Sequence, residues 1–184
     1  MFRHLSTQEI ESGLRQVLDS PKDDGSLLGI VTRPESGERF DLYSSEISGA
    51  YGVKGDHWSK GCWKSLSDGS PDPNVQISIM NSRFIDLIAT CRENWAASGN
   101  NLFIDMDLSP DNLRPGQQIS IGSAELEISP VPHTGCGSFI RRYGRDACVF
   151  VNTGVGRDLK LRGIYARVIK DGRVTLGDRV QKLK

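Results

Sequence analysis

Short strand-like runs recur along most of this chain, and they are the strongest constraint on its fold. The runs alternate apolar and polar residues or are rich in β-branched residues, and turn-forming residues separate them. They cover residues 26–33, 38–43, 75–80, 102–108, two runs within 117–129, then 164–169 and 174–176. Seven or eight short strands with two to four peripheral helices indicate a mainly β fold. We expect a barrel-like sheet that curls or closes to hide its edges.

Two turn signals predict which strands are neighbours. Gly122-Ser123 joins the two runs within 117–129, and Asp171-Gly172 lies between the runs at 164–169 and 174–176. Such two-residue turns are typical of β-hairpins. The sequence therefore predicts two hairpins, one on each side of the segment 130–163.

An N-terminal helix is indicated by a capping box, Ser6-x-x-Glu9, ahead of an apolar 3.6-residue repeat that stops at Pro21. We expect residues 1–24 to form a helix and linker packed on a single β domain at 25–184.

A second helix is predicted where Asn81 provides a cap. Its apolar face comprises Phe84, Leu87, Ile88, Cys91 and Trp95, and Gly99 ends it. Cys91 is accordingly predicted to pack in the core.

Charge and apolar content exclude some function classes. Basic and acidic residues balance at 23 each, so net charge does not indicate a nucleic-acid or membrane-surface partner. No apolar run approaches the length of a signal peptide or a membrane span, and the expected location is the cytoplasm. The four cysteines form no C-x-x-C pair, which favours reduced thiols.

The stretch 128–143 contains the main candidate site. Pro130 and Pro132 favour an extended segment that cannot be an inner strand, and Gly144 closes a short helix that follows. Cys136 therefore lies at a helix N-terminus, where free N–H groups favour a thiolate, the form that attacks electrophiles and binds soft metals. Residues 133–167 carry seven basic and two acidic residues, which indicates a small anionic ligand or merely a solvated basic face.

Other candidate residues have both a chemical and a structural interpretation. His133 is a candidate base for the Cys136 thiol or a candidate contact for a pterin, and a structural loop histidine is the other interpretation. Asp56 and His57 are a candidate acid–base pair, although an Asx turn is the favoured interpretation of Asp56. Cys62 is a candidate resolving thiol or a spectator.

Two further sites can be considered around these residues. A zinc site from His57, Cys62, His133 and Cys136 lacks the paired spacing that structural zinc sites have. The C-x5-R spacing from Cys136 to Arg142 is that of cysteine phosphatases. Gly135 and Phe139, however, replace the histidine and glycine that such loops carry, so a phosphatase is not favoured. Cys148 lies in an apolar run and is predicted to be core.

Several stretches together resemble the MOSC domain family, named after the C-terminal domain of molybdenum cofactor sulfurase. They are residues 52–57 (GVKGDH), 112–122, Cys136, 144–146 (GRD), 161–168 (LRGIYARV) and 176–178 (LGD). The resemblance implies a β-barrel-like MOSC fold for residues 25–184. It also implies that Cys136 carries a persulfide sulfur or ligates molybdenum held by a pterin dithiolene.

The resemblance also suggests how a cofactor would be held. Asp56 and His57 belong to one of the matching stretches and are predicted to contact the cofactor. From charge alone, we expect the phosphate of molybdopterin to be bound by Arg141, Arg145, Arg157 and Arg162.

Partners follow from what the sequence lacks. It contains no pyridoxal-phosphate desulfurase domain, so a persulfide would come from a separate cysteine desulfurase that holds this coenzyme. It contains no ferredoxin-like domain, so electrons would come from a donor protein. Some relatives reduce N-hydroxylated compounds, and the family implies either such a reductase or a sulfur carrier. A non-catalytic module that binds a pterin or senses thiol-reactive compounds is the remaining alternative.

Overall fold

A closed β-barrel forms the centre of the computed structural model, which describes residues 3–183. The strands are β1 (Gly25–Thr32), β2 (Phe40–Leu42), β3 (Ser44–Ser48), β4 (Gly52–Val53), β5 (Ile77–Asn81), β6 (Leu102–Asp105), β7 (Gln118–Ile121), β8 (Ala124–Pro132), β9 (Ile164–Lys170), β10 (Gly172–Thr175) and β11 (Arg179–Lys182). Seven strands in the order β11-β7-β8-β9-β5-β6-β1 close through pairing of β11 with β1. The predicted mainly β, barrel-like fold is confirmed.

The barrel encloses one apolar core, and helices cover a second core on its outer surface. Side chains alternate between the two because successive residues of a strand point to opposite faces. On β6, Leu102 and Ile104 belong to the inner core, whereas Phe103 belongs to the outer one. On β5, Ile79 points inward and Met80 outward. Because these strands are covered on both faces, their sequences are nearly continuous runs of apolar residues.

In the described part of the chain, four α-helices pack around the barrel: α1 (Thr7–Leu18), α2 (Ser82–Ala89), α3 (Gly137–Asn152) and α4 (Gly154–Asp158). The predicted caps are present. Ser6 and Glu9 form the capping box of α1, and the Asn81 side chain accepts a hydrogen bond from the Phe84 N–H at 2.9 Å. Within residues 3–183, no helix is both long and apolar enough to cross a membrane.

Gly144 divides α3 into two helical segments. Its φ of 91° lies in the region that favours glycine, and a Cβ there would lie 2.9 Å from the Cβ of His4. The predicted stop at Gly144 is confirmed, and a second helical segment follows it. The two proline residues of β8 also behave as expected: beyond Ile128 the strand pairs with β9 but no longer with β7.

Two predictions of local structure are wrong. The Asp171-Gly172 turn does not form a hairpin, because β10 pairs with β3 in a small second sheet of order β10-β3-β4. Asp171 instead accepts hydrogen bonds from the Ser48 hydroxyl and the Gly49 N–H. Cys91 is exposed rather than core. The helix ends at Thr90, which adopts a left-handed conformation, and Cys91 begins a separate 3₁₀ helix at Arg92–Ser98.

Candidate functional site

Cys136 is the N-cap residue of α3 and lies at the end of the loop that follows β8. The loop is anchored by Asn152, at the other end of the same helix. Asn152 Oδ1 accepts the Gly135 N–H at 2.9 Å, and its Nδ2 donates to the Gly135 carbonyl at 3.1 Å. Glycine is needed for this close approach, because a Cβ at Gly135 would lie 2.9 Å from Cys148 Sγ. The backbone thus fixes Cys136 while its side chain stays exposed.

The surroundings of the Cys136 sulfur favour its thiolate form. Partial burial raises the pKa of the thiol. The backbone N–H groups of Phe139 and Ser138, with the positive charges of Arg162 and Arg141, outweigh this effect, and the net pKa is lowered. This is the expected effect of a helix N-terminus on a cysteine. Cys148 is buried, and desolvation raises its pKa.

Iodoacetamide is expected to alkylate Cys136 before the other three cysteines at pH 7, because thiolate is the reacting form. Its rate should fall only as the pH drops below the lowered pKa of this thiol. Cys148, with its raised pKa, is the slow internal control. Peptide mass spectrometry over a time course gives each rate. Equal rates at Cys136 and Cys91, which is also exposed, would contradict a thiolate held by the helix.

The sulfur faces a cleft of about 450 Å³ that is rich in arginine. The cleft is lined by Arg33, Arg39, Trp63, Ser98, Gly99, Pro132, His133, Thr134, Cys136, Ser138, Arg142, Arg162 and Tyr165. Its four arginines come from three separate parts of the fold. Arg33 and Arg39 flank the connection between β1 and β2, Arg142 belongs to α3, and Arg162 precedes β9.

Three of these arginines have no carboxylate partner among residues 3–183. Arg162 is buried; its Nη1 donates to Asn100 Oδ1 at 2.6 Å and its Nη2 to the Ser98 carbonyl at 3.0 Å, while its Nε is unpaired. Burial lowers its pKa to about 10. Arg142 donates to the Ala97 carbonyl. The Nε of Arg39 is also buried and unpaired.

Asp56 neutralises the fourth arginine. Its carboxylate accepts from Arg33 Nε at 2.9 Å and Nη2 at 3.1 Å, and from Asn101 Nδ2 at 2.9 Å. It also accepts the Trp58 N–H two residues on, which is the predicted Asx turn. Asp56 therefore lies behind Arg33 and does not line the cleft. His57 lines a neighbouring cavity.

His133 is held as a neutral ring. It stacks on Tyr165 with 4.2 Å between ring centroids. Burial, reinforced by the positive charges of Arg162 and Arg33, lowers its pKa well below the ordinary value. Its Nδ1 is buried and has no partner in the described part of the chain. The structure places His133 in the cleft with Cys136 but records no hydrogen bond between the two.

The other predicted arginines are dispersed. Arg162 lines the cleft, and Arg141 donates to Ser138 next to Cys136. Arg145 and Arg157 are exposed and do not line it, and Arg157 pairs with Asp158. Their predicted role at a phosphate therefore lacks support from position. No group of three His, Cys, Asp or Glu side chains within residues 3–183 is arranged to hold a metal ion, so the zinc alternative gains no support.

Several cleft residues were not predicted. Arg33, Arg39 and Trp63 are distant in sequence from Cys136, whereas Arg142 and Tyr165 lie in the segment 133–167 that was singled out by charge. Tyr165 does belong to the stretch 161–168 that resembles the family, which was a usable signal.

Solved structures with the same fold include two bacterial proteins. The YuaD protein from Bacillus subtilis is 16% identical, with a TM-score of 0.58 over 87% of this chain and 97% of that chain. YiiM from Escherichia coli is 17% identical, with a TM-score of 0.55 over 86% of this chain and 70% of that chain. These likenesses show a shared fold.

Sequence comparison identifies the family. No curated protein matches the chain. Residues 72–181 match the model of the MOSC domain, and this range contains Cys136, Arg142, Arg162 and Tyr165 but not Arg33 or Arg39. Because the match spans more than half of the sequence and the barrel agrees with it, the chain belongs to the MOSC domain family.

Proposed function

We propose that the cleft binds a molybdenum cofactor, with the Cys136 thiolate as a ligand of the metal and Arg39, Arg142 and Arg162 as the binding site for the pterin phosphate. One observation carries the proposal: the same cleft is lined by a cysteine whose thiol pKa is lowered and by three arginines that have no carboxylate partner in the described part of the chain. The MOSC family is associated with this cofactor.

The residues present fit such a group. A buried cation without an anionic partner is energetically unfavourable. The Nε atoms of Arg39 and Arg162 have no acceptor among the described residues, and the oxygens of a phosphate group would provide one. Trp63 and Tyr165 offer aromatic faces to a planar ring system. Thiolate is a suitable ligand for a soft transition metal. The cofactor would supply two-electron redox chemistry.

The chain's own residues would position and protect that chemistry. The helix N-terminus favours the anionic form of the Cys136 sulfur, and Asn152 fixes the loop on which it lies. His133 stays neutral and so adds no charge beside the arginines. We further propose reduction of N-hydroxylated compounds as the activity, with electrons from a separate donor protein.

Sulfur transfer is a second candidate, and the exposure of Cys136 favours it. An exposed sulfur is accessible to a partner protein, and the N–H groups and arginines that stabilise a thiolate would equally stabilise a persulfide anion. The sulfur donor would be a cysteine desulfurase that carries its own pyridoxal phosphate.

Both versions can be tested with the same variants. Protein purified from a cofactor-competent host is expected to retain molybdenum, whereas Cys136→Ser should retain almost none because the metal ligand is lost. Cys91→Ser is the matched control, since this cysteine is also exposed but does not line the cleft. Metal content is measured by elemental analysis. Equal molybdenum in wild type and Cys136→Ser would contradict the metal-ligand version.

The persulfide version is tested by intact mass after incubation with a cysteine desulfurase and cysteine. A gain of one sulfur on wild type and none on Cys136→Ser is expected. Without that gain, sulfur transfer is excluded. Pterin binding without metal ligation or sulfur transfer would indicate the non-catalytic binding module.

A further inference from the structure

A second cavity of about 150 Å³ adjoins the Cys136 cleft. The two share Arg33, Trp63, His133 and Tyr165, which therefore form a common wall. The volume corresponds to about five molecules of liquid water, enough for a small organic group. The cavity is distinct from the arginine-rich end of the cleft, because Arg39, Arg142 and Arg162 do not line it.

His57 lines this cavity and has a free hydrogen-bond acceptor on its ring. Its backbone N–H donates to the Arg33 carbonyl at 2.9 Å, and its ring Nδ1 lies 2.7 Å from the same oxygen. A carbonyl oxygen only accepts, so Nδ1 carries the proton and, in the neutral ring, Nε2 is the acceptor. Nε2 has no partner within residues 3–183, and it is not among the buried unpaired atoms.

Apart from His133 Nδ1, which is buried and has no partner in the described residues, the polar side chains around the cavity are largely engaged. Arg33 is paired with Asp56, Ser78 Oγ donates to Asn101 Oδ1 at 3.0 Å, and Cys62 Sγ donates to the Lys64 carbonyl at 2.6 Å. A charged ligand would thus find no free counter-charge here.

Aromatic rings make up much of the remaining wall. Trp58, Trp63 and Tyr165 line the cavity, and the rings of Trp63 and Tyr165 lie 6.3 Å apart. Flat aromatic walls favour a planar ligand.

We propose that this cavity binds a small, neutral, planar molecule that donates an N–H or O–H hydrogen bond to His57 Nε2, as amide- and oxime-type groups do. Because His133 and Tyr165 line both the cavity and the Cys136 cleft, such a molecule would lie next to that cleft. The assignment of this molecule as a substrate for chemistry at Cys136 rests on the proposed function. Its binding in this cavity does not depend on that function.

Acetamide and acetate are the matched probes, because they share shape and size but differ in charge and in the N–H donor. Metal-free protein with ¹⁵N-labelled histidine is titrated with each, and the His57 imidazole signals are followed by NMR. Acetamide is expected to shift them saturably and acetate at least about tenfold less effectively. Preferential binding of acetate would overturn the proposal by showing an anion site.

Two variants test the location of the probe. His57→Phe keeps a ring but removes the acceptor, and one hydrogen bond predicts about tenfold weaker acetamide binding, followed by tryptophan fluorescence. His4→Phe is the control, since His4 contacts Gly144 and does not line the cavity. Cys62→Leu adds a larger side chain to the cavity and leaves His57 unchanged, and it should also weaken acetamide binding at least about tenfold. Wild-type affinity in both His57→Phe and Cys62→Leu would refute the site.

A Cys136→Ser background separates this inference from the proposed function. Acetamide should bind there with unchanged affinity, because the cavity does not include Cys136. If acetamide binds but molybdenum is not retained by wild type, the proposed function fails and the cavity stands. If molybdenum is retained and acetamide does not bind, the cavity proposal alone fails.

Discussion

An Asp56→Ala variant is expected to lose about 3–5 kcal/mol of unfolding free energy, the cost of breaking a buried ion pair. Only 1% of the Asp56 side chain and 17% of Arg33 are exposed, so removal of the carboxylate leaves Arg33 desolvated without a counter-charge. Asn101 Nδ2 and the Trp58 N–H lose their acceptor as well. Urea denaturation of both proteins measures the difference.

Asp158→Ala is the matched control, because the ion pair between Asp158 and Arg157 is exposed on both sides. Exposed pairs contribute little, and a change below about 1 kcal/mol is expected. Similar losses in the two variants would show that burial is not what makes Asp56 important.

The same ion pair predicts how stability depends on pH. Burial raises the pKa of Asp56, but the hydrogen bonds and charge of Arg33, with the Trp58 and Asn101 donors, outweigh it and lower the pKa below 3.8. The stabilisation is therefore complete above the unfolded-state value and is lost as the pH falls from about 3.8 toward the lower folded-state pKa. Asp56→Ala should lack this component of acid unfolding.

The second large effect is expected for anion binding. A double variant, Arg39→Gln with Arg142→Gln, should bind inorganic pyrophosphate about 100-fold more weakly than wild type, since each charge-assisted hydrogen bond contributes about 1.5–3 kcal/mol. Folding stability should not fall, because burial and mutual repulsion with Arg142 already make the charged form of Arg39 less favourable and lower its pKa. Isothermal titration calorimetry measures the affinity.

The matched control is the double variant Arg145→Gln with Arg157→Gln, which also removes two positive charges, but from positions outside the cleft. Unchanged pyrophosphate binding is expected in this control. If the two double variants weaken binding equally, the anion is attracted by general positive charge rather than bound in the cleft, and the assignment of Arg39 and Arg142 is wrong.

The parts of the site that could be predicted are those encoded by neighbouring residues. The helix that begins at Cys136, its stop at Gly144 and the caps at Ser6 and Asn81 all follow from short sequence patterns. The alternating runs likewise predicted a β fold, since strand periodicity is a local signal.

Two of the failures have a common physical cause, which is contact over long sequence distance, and the third has a local one. β10 pairs with β3, more than a hundred residues earlier, although a strong local turn signal precedes it. Arg33 and Arg39 likewise reach Cys136 only because β1 closes the barrel and brings the connection to β2 near the start of α3. Cys91 was misplaced because the left-handed conformation of Thr90 has no strong sequence signal.

Because α3 bends at Gly144, both of its ends contact the loop that precedes it. Its first segment presents Cys136, and its second segment returns Asn152 to the backbone immediately before that cysteine. The position of the sulfur is therefore set within one continuous piece of chain, whereas three of the four arginines of the cleft come from remote segments, Arg33 and Arg39 between β1 and β2 and Arg162 before β9. The position of the thiol and the ligand preference of the cleft are thus separable, because these three arginines can be exchanged without changing the segment that positions the sulfur.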